Sequence, residues 1–316
     1  MAALGLTWFR HRRTTELCAG LGIELLEITT LRRGLVRYAL LTIGTVRELS
    51  RRKPSSLLVQ NPSLILAVLT VCLRPWFRYR LLVDAHNEGV EPYINRAGWI
   101  VAITRWVLRK ADVTIVTNSA LARIVEACGG RAFILPDRIP HAPDANAGPT
   151  TGSFKLALIA TFAPDEPVEN VFAAVRDLDL DVLVTGNFRK LKESARAAAP
   201  ANIKFTGFLS EADYWSLLYT VDAIIDLTTM DNCLVCGAYE AVAVGKPLVL
   251  TRSEASIDVF GSCAVFTDNS VADIRRAIEV LRTTHTELSA KVAAAKHRML
   301  GQWDERAVQL RALLKA

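Results

Sequence analysis

AIIDLTTMDNCLVCGAYEAVAVGKPLVLT, Ala223 to Thr251, reads as strand, polar loop, helix and strand. The run AIIDL is apolar, short and bounded by polar residues, as a buried strand is. TTMDN makes the loop, and the spacing predicts a helix over Leu234–Val244. Either Asp231 or Asn232 is the expected N-cap, because both side chains accept from the first unpaired backbone N–H groups. Gly245 suits the C-cap and Pro247 stops the helix. A helix rising from the C-terminal edge of a parallel sheet points N–H donors and the positive end of its dipole out of that edge, which suits a diphosphate. Gly237 permits close approach. Glu240 lies inside a small, apolar run, where an unpaired carboxylate is costly. It is therefore expected to touch a ligand, and two ribose hydroxyls are donors of the right kind.

The same alternation extends in both directions. Ahead of it, strands are expected at Ala3–Phe9, Ile23–Ile28, Ser56–Gln60, Leu81–Asp84, Val113–Thr117 and Ala132–Leu135, with helices at Arg13–Leu21, Arg32–Arg51, Ser63–Leu73, Ile94–Lys110 and Ser119–Cys128. His141–Ser153 is rich in Pro, Gly, Ala and small polar residues and reads as a linker. Beyond it come strands at Lys155–Ala160, Asp181–Thr185, Ile203–Thr206, Ala223–Leu227, Pro247–Thr251 and Ala264–Phe266. Helices are expected at Val168–Asp177, Lys190–Ala198, Glu211–Tyr219 and near Ile257, and a helical tail over Val271–Leu314. Strands alternating with helices imply βαβ units and parallel sheets. The fold class is thus α/β, with domains at 1–145 and 146–316 and a final helix able to pack back on the first. Ligands of such sheets bind beyond the strand C-termini, and a cleft between two facing domains is the default site.

Composition agrees. The chain has 316 residues, 51% hydrophobic and 22% charged, enough for two cores and unlike a disordered chain. Its net charge of +6 is uneven: residues 1–150 hold 20 Lys and Arg against 11 Asp and Glu. That asymmetry suits an anionic partner. The basic residues match no nucleic-acid recognition motif, so no nucleic acid is expected. Cys233 and Cys236 form a CxxC, but no second ligand pair accompanies it, and no metal site is expected. The apolar run Leu64–Leu73 is about half of the ~20 residues a membrane span requires. Its flanks, Arg51–Lys53 on one side and Arg74–Arg80 with Trp76, Phe77 and Tyr79 on the other, suit an anionic membrane surface. No secretory signal is evident, and a cytoplasmic, peripheral placement is expected.

The stretch from Asn232 to Pro247 resembles the nucleotide-sugar site of GT-B glycosyltransferases, most closely family four. That pattern is Glu, seven residues, Glu, then Ala-x-Ala-x-Gly-x-Pro. Glu240 matches the second Glu, and Ala241, Ala243, Gly245 and Pro247 follow in register. Asn232 stands at the first Glu, with Asp231 beside it and Cys233 after it. LLVDAHN, ADVTIVTNSAL and the segment Ala201–Thr228 resemble further parts of the family. The resemblance implies two Rossmann-like doubly wound domains. The first would take a glycan or lipid-linked acceptor and the second a nucleotide-sugar, with retention of configuration and no metal or other cofactor. It implies a ribose contact for Glu240 and a sugar contact for Asn232 or Asp231.

Other candidates follow from position. His86 lies just past a strand, suited to a sugar hydroxyl, with either Asp84 or Glu88 as base or electrostatic partner. The loop after the first strand has no glycine, but Arg10, Arg12 and Arg13 offer charge for phosphate. The family's Arg and Lys clamp after the first strand of the second domain is absent from TFAPDEPVENV. Arg189 and Lys190, after the next strand, are the candidates to replace it, beside backbone donors at Gly186; a plain surface role is the alternative. Two other readings remain open: a GT-B nucleotide-sugar epimerase, and a degenerate transferase acting as a scaffold.

Overall fold

A computed structural model describes residues 3–61, 63–92, 97–143 and 152–315. The chain divides into two compact units, Met1–Arg138 with Gly301–Ala316, and Ile139–Leu300. Most of the expected linker, 144–151, and the expected helix start at Ile94 lie outside the described residues.

In the first unit the strands are β1 (Ala3–Thr7), β2 (Glu24–Glu27), β3 (Ser56–Asn61), β4 (Arg80–Ala85), β5 (Val113–Val116) and β6 (Ala132–Ile134). They pair in parallel in the order β2-β1-β3-β4-β5-β6. The intervening helices are α1 (Arg12–Leu21), α2 (Gly34–Arg52), α3 (Leu64–Phe77), α4 (Asn87–Val90), α5 (Gly98–Lys110) and α6 (Ser119–Ala127). One face of the sheet packs against Leu41 and Leu49 of α2, Leu66 and Val71 of α3, Val107 of α5 and Val125 of α6. The other packs against Leu17 and Leu21 of α1 and against Trp303, Leu310 and Leu314 near the chain's end. Covered on both faces, β3 is buried at every residue.

The second unit repeats the plan. Its strands are β7 (Lys155–Leu158), β8 (Asp181–Thr185), β9 (Ile203–Gly207), β10 (Ala223–Asp226), β11 (Leu248–Thr251) and β12 (Ala264–Thr267), parallel in the order β12-β11-β10-β7-β8-β9. Its helices are α7 (Val168–Val175), α8 (Glu193–Ala197), α9 (Glu211–Thr220), α10 (Cys236–Val244), α11 (Glu254–Phe260) and α12 (Val271–Thr283). The last helix, α13 (His285–Lys315), gives residues to both units. The order of strands reverses between β1 and β3 in one unit and between β7 and β10 in the other. A doubly wound sheet opens its ligand crevice beyond the strand C-termini at that reversal.

Four expectations are corrected. The helix expected from Leu234 begins at Cys236, and neither Asp231 nor Asn232 caps it: Val235 is the N-cap, with no side-chain bond. Asn232 instead takes a left-handed φ of 60°, which helical backbone excludes. Helix α3 runs past Leu73 and through Pro75, ending where Arg78 turns left-handed. In place of one helix over Lys190–Ala198 there is a 3-10 turn at Phe188–Lys190 and then α8. The tail breaks at Thr284 into α12 and α13.

Candidate functional site

The second unit's reversal point carries the loops after β7 and β10. Asp226 ends β10, and its Oδ2 accepts from the Gly237 amide at 2.8 Å. A Cβ at Gly237 would stand 2.5 Å from that same oxygen, so only glycine lets α10 approach the strand. Burial raises the Asp226 pKa well above the carboxylate range, and the nearby Glu166, Glu240 and Asp165 charges raise it further, against the bond from Gly237.

Glu240 lies one turn into α10 and is 8% exposed. The Tyr214 hydroxyl, from α9, donates to its Oε2 at 2.6 Å. Burial, then the Glu240 charge, pushes the Tyr214 pKa up, so the phenol stays protonated and remains a donor. Glu240 is thus a carboxylate oriented by a fixed partner. Asn232 and Cys233 are half-buried and Asp231 is exposed, all in the loop leading to α10. Cys233 and Cys236 form no disulfide.

The loop after β7 is organised around Glu166. Its carboxylate accepts from the Thr161 amide at 2.9 and 3.1 Å, the Thr161 hydroxyl at 2.6 Å, the Phe162 amide at 2.7 Å and the Ala163 amide at 3.3 Å. Phe162 adopts a left-handed φ of 56° within it. Consecutive amides turned to one point form an anion-binding nest; here the chain's own carboxylate fills it. Asp165 ties this loop to the next, accepting from the Thr228 hydroxyl at 2.6 Å and from the Thr229 amide at 2.7 Å through its carbonyl. Lys190 reaches the same loop, its Nζ donating to the Thr161 carbonyl at 2.8 Å. Arg189 is exposed, and its amide donates to the Asn187 side-chain oxygen at 3.2 Å. Gly186 has φ of 87°, and a Cβ there would lie 2.0 Å from the Ala160 carbonyl, so this residue sets how closely the two loops approach.

The first unit gathers a second cluster at the C-terminal ends of β1, β4 and β6. Arg13 is buried; its Nε donates to Asp84 at 3.0 Å, its Nη2 to the Leu135 carbonyl at 3.0 Å, and its Nη1 to Asp137. Burial alone would lower the Arg13 pKa, but Asp84 and Asp137 hold it above its ordinary value. Arg13 is thus a structural cation, whereas the sequence pointed to a phosphate ligand; Asp137, 124 residues away, went unnoticed. Asp84 is fully buried, and its other oxygen lies 3.9 Å from Nε2 of His86. Burial takes His86 down to about 4 despite the Asp84 charge, and it lowers His11 as well. The two imidazoles meet edge to face, centroids 4.7 Å apart. Asp84 Oδ2, His86 Nε2 and His11 Nδ1 are buried with hydrogen-bonding capacity unused by any described residue. Glu88 is half-buried in α4. Arg10 is exposed, and Arg12, also exposed, pairs with Glu16 at 2.9 Å.

No protein-family model and no curated protein sequence matches the chain. Solved structures do. Sucrose-phosphate synthase from Thermosynechococcus elongatus superposes with a TM-score of 0.79 at 12% identity, over 100% of this chain and 98% of that one. Anabaena HepE, solved in complex with UDP and glucose, gives 0.76 at 14% identity over 100% of both chains. A glycosyltransferase from Rickettsia africae gives 0.73 at 10% identity, over 99% and 98%. The fold is GT-B. At these identities the likeness establishes architecture, and activity has to be argued from the site.

Proposed function

We propose that the chain is a glycosyltransferase whose second unit holds a nucleotide-sugar. The observation that carries this is Glu240: a buried carboxylate oriented by Tyr214 at the C-terminal edge of the sheet, beside the strand reversal. A carboxylate so placed suits two ribose hydroxyls. The start of α10 and Lys190 are the positive groups near the diphosphate, and the Asp231–Cys233 loop is nearest the sugar. HepE, solved with UDP and glucose bound, shares the whole fold. In the first unit, neutral His86 and His11 would meet sugar or acceptor hydroxyls, with Asp84 as the charge that orients His86. Membership of family four, retention of configuration, independence of metal and a glycan or lipid-linked acceptor at the cytoplasmic membrane face belong to the same proposal.

Titration calorimetry against nucleoside diphosphates and their sugars tests it. One nucleotide should bind, and Glu240→Ala should weaken that binding by about a hundredfold, as loss of two charge-assisted hydrogen bonds does. Unchanged affinity in the variant would remove the ribose assignment. One observation favours a second reading, a binding protein without turnover: the nest after β7 is filled by Glu166. Donor binding with no transfer to any glycan or lipid acceptor would select it.

A further inference from the structure

Helix α2 is apolar on two opposite faces. Leu41, Thr45 and Leu49 form the buried stripe. At about 100° per residue, Val36, Leu40 and Ile43 fall together on the far side. They are 58%, 44% and 64% exposed, and just ahead of them Leu35 is 88% exposed and Leu31 entirely so. A surface helix ordinarily places polar residues there. Arg47 extends the outer stripe by one more turn. Between Glu27 and Glu48 the chain has no acidic residue and four arginines, Arg32, Arg33, Arg37 and Arg47. Arg32, Arg33 and Arg47 are exposed.

The position of this patch follows from topology. Helices α2, α3 and α5 each begin at the C-terminal edge of the first unit's sheet, so Leu31, Leu35, exposed Ile65 and exposed Trp99 share the edge that carries His11, Asp84 and His86. The membrane flanks read from the sequence lie at the opposite ends of α2 and α3. There Arg51 and Arg52 pair with Glu48, Arg74 with Asp112, and Tyr79 is buried.

We propose that the N-terminal half of α2, with Leu31–Arg33 ahead of it, docks on an anionic lipid bilayer. Strongly exposed apolar side chains, bordered by arginines in a stretch of chain without an acidic residue, match the acyl boundary and the phosphate layer of such a surface. A second copy of the chain fits poorly, since a two-fold contact would set these arginines against their own equivalents. The surface does not depend on the transferase reading and is measured without a sugar donor.

Co-sedimentation of the full chain with vesicles tests it. Binding is expected to vesicles of phosphatidylglycerol and phosphatidylcholine, and about tenfold weaker binding or less to phosphatidylcholine alone. Leu35→Ser with Ile43→Ser should lower partition to the anionic vesicles at least about tenfold, given the apolar area removed. Arg32→Glu with Arg33→Glu should lower it on anionic vesicles only. These positions are solvent-exposed, so the unfolding midpoint should not move; if the serine pair fails to fold, the glutamate pair decides alone. Absence of wild-type binding, or equal binding by the variants, overturns the proposal. So does a dimer in sedimentation velocity that Leu35→Ser dissociates while vesicle binding is absent.

Discussion

The Arg13 guanidinium meets the Asp84 carboxylate at 3.0 Å with both side chains buried, and the same guanidinium holds Asp137. One cation therefore links the ends of β4 and β6 to α1. Breaking a buried ion pair from one side leaves an uncompensated charge, which costs about 3–5 kcal/mol. Arg13→Met should lower stability by that order in urea unfolding, because two carboxylates are orphaned. Arg13→Lys should recover only part, since an ammonium cannot serve Asp84, Asp137 and the Leu135 carbonyl in one plane. A phosphate-binding role with no structural one would instead leave unfolding unchanged.

His86 makes the fold acid-sensitive. Its folded pKa is about 4, against 6.5 for the free side chain. Between these values the unfolded chain binds the proton and the folded chain does not. Stability from this group is therefore complete above about pH 6.5 and declines as pH falls toward 4, with a limiting slope of about 1.4 kcal/mol per pH unit. Below 4 both states are protonated and the slope vanishes. NMR titration of the His86 ring should show it neutral at pH 5.5. His86→Gln should flatten the acid limb of the stability profile.

Asp226 behaves in the opposite sense. Its folded pKa is raised, so near pH 3 both states hold the proton and the residue costs nothing. As pH rises the unfolded chain ionises first, and stability is lost until the raised pKa is passed. Asp226→Asn keeps an acceptor for the Gly237 amide and removes the titration. The variant should have the higher urea midpoint at pH 7 and match the wild type near pH 3. A lower midpoint at both values would mean that the carboxylate is ionised and paired in the folded protein.

Much of this architecture was legible in the sequence because it is local. Alternating apolar runs and helical periods placed the strands within a residue or two, and Glu240 stood out as a carboxylate among alanines and valines. What escaped was set by distant contacts. Nothing near Arg13 announces Asp137, and nothing near Glu240 announces Tyr214, 26 residues earlier on another helix. The Asn232 error has a different origin. Its side chain suits an N-cap, but its left-handed backbone holds it in the loop, and the helix waits until Cys236. Helix α3 was expected to end at Leu73, whereas it runs on through Pro75 to Phe77.

Glu166 gives the sharpest test of the second unit. Its carboxylate satisfies the amides of Thr161, Phe162 and Ala163, so Glu166→Ala leaves these donors and the Thr161 hydroxyl without their partner. The loop is partly solvated, and the cost should be about 1–3 kcal/mol in unfolding, with faster amide exchange at 161–163. Binding should move the other way. With the internal anion gone, the nest is open to phosphate and one negative charge is lost from a region that also holds Asp165, Asp226 and Glu240. A phosphate-bearing ligand should then bind more tightly by about tenfold, the worth of one like charge removed at short range in a partly solvated site. Stability and affinity should thus change in opposite directions in a single variant. If Glu166→Ala loses nucleotide affinity along with stability, the loop serves the ligand only as Glu166 holds it, and the carboxylate is scaffolding for the site instead of a competitor within it.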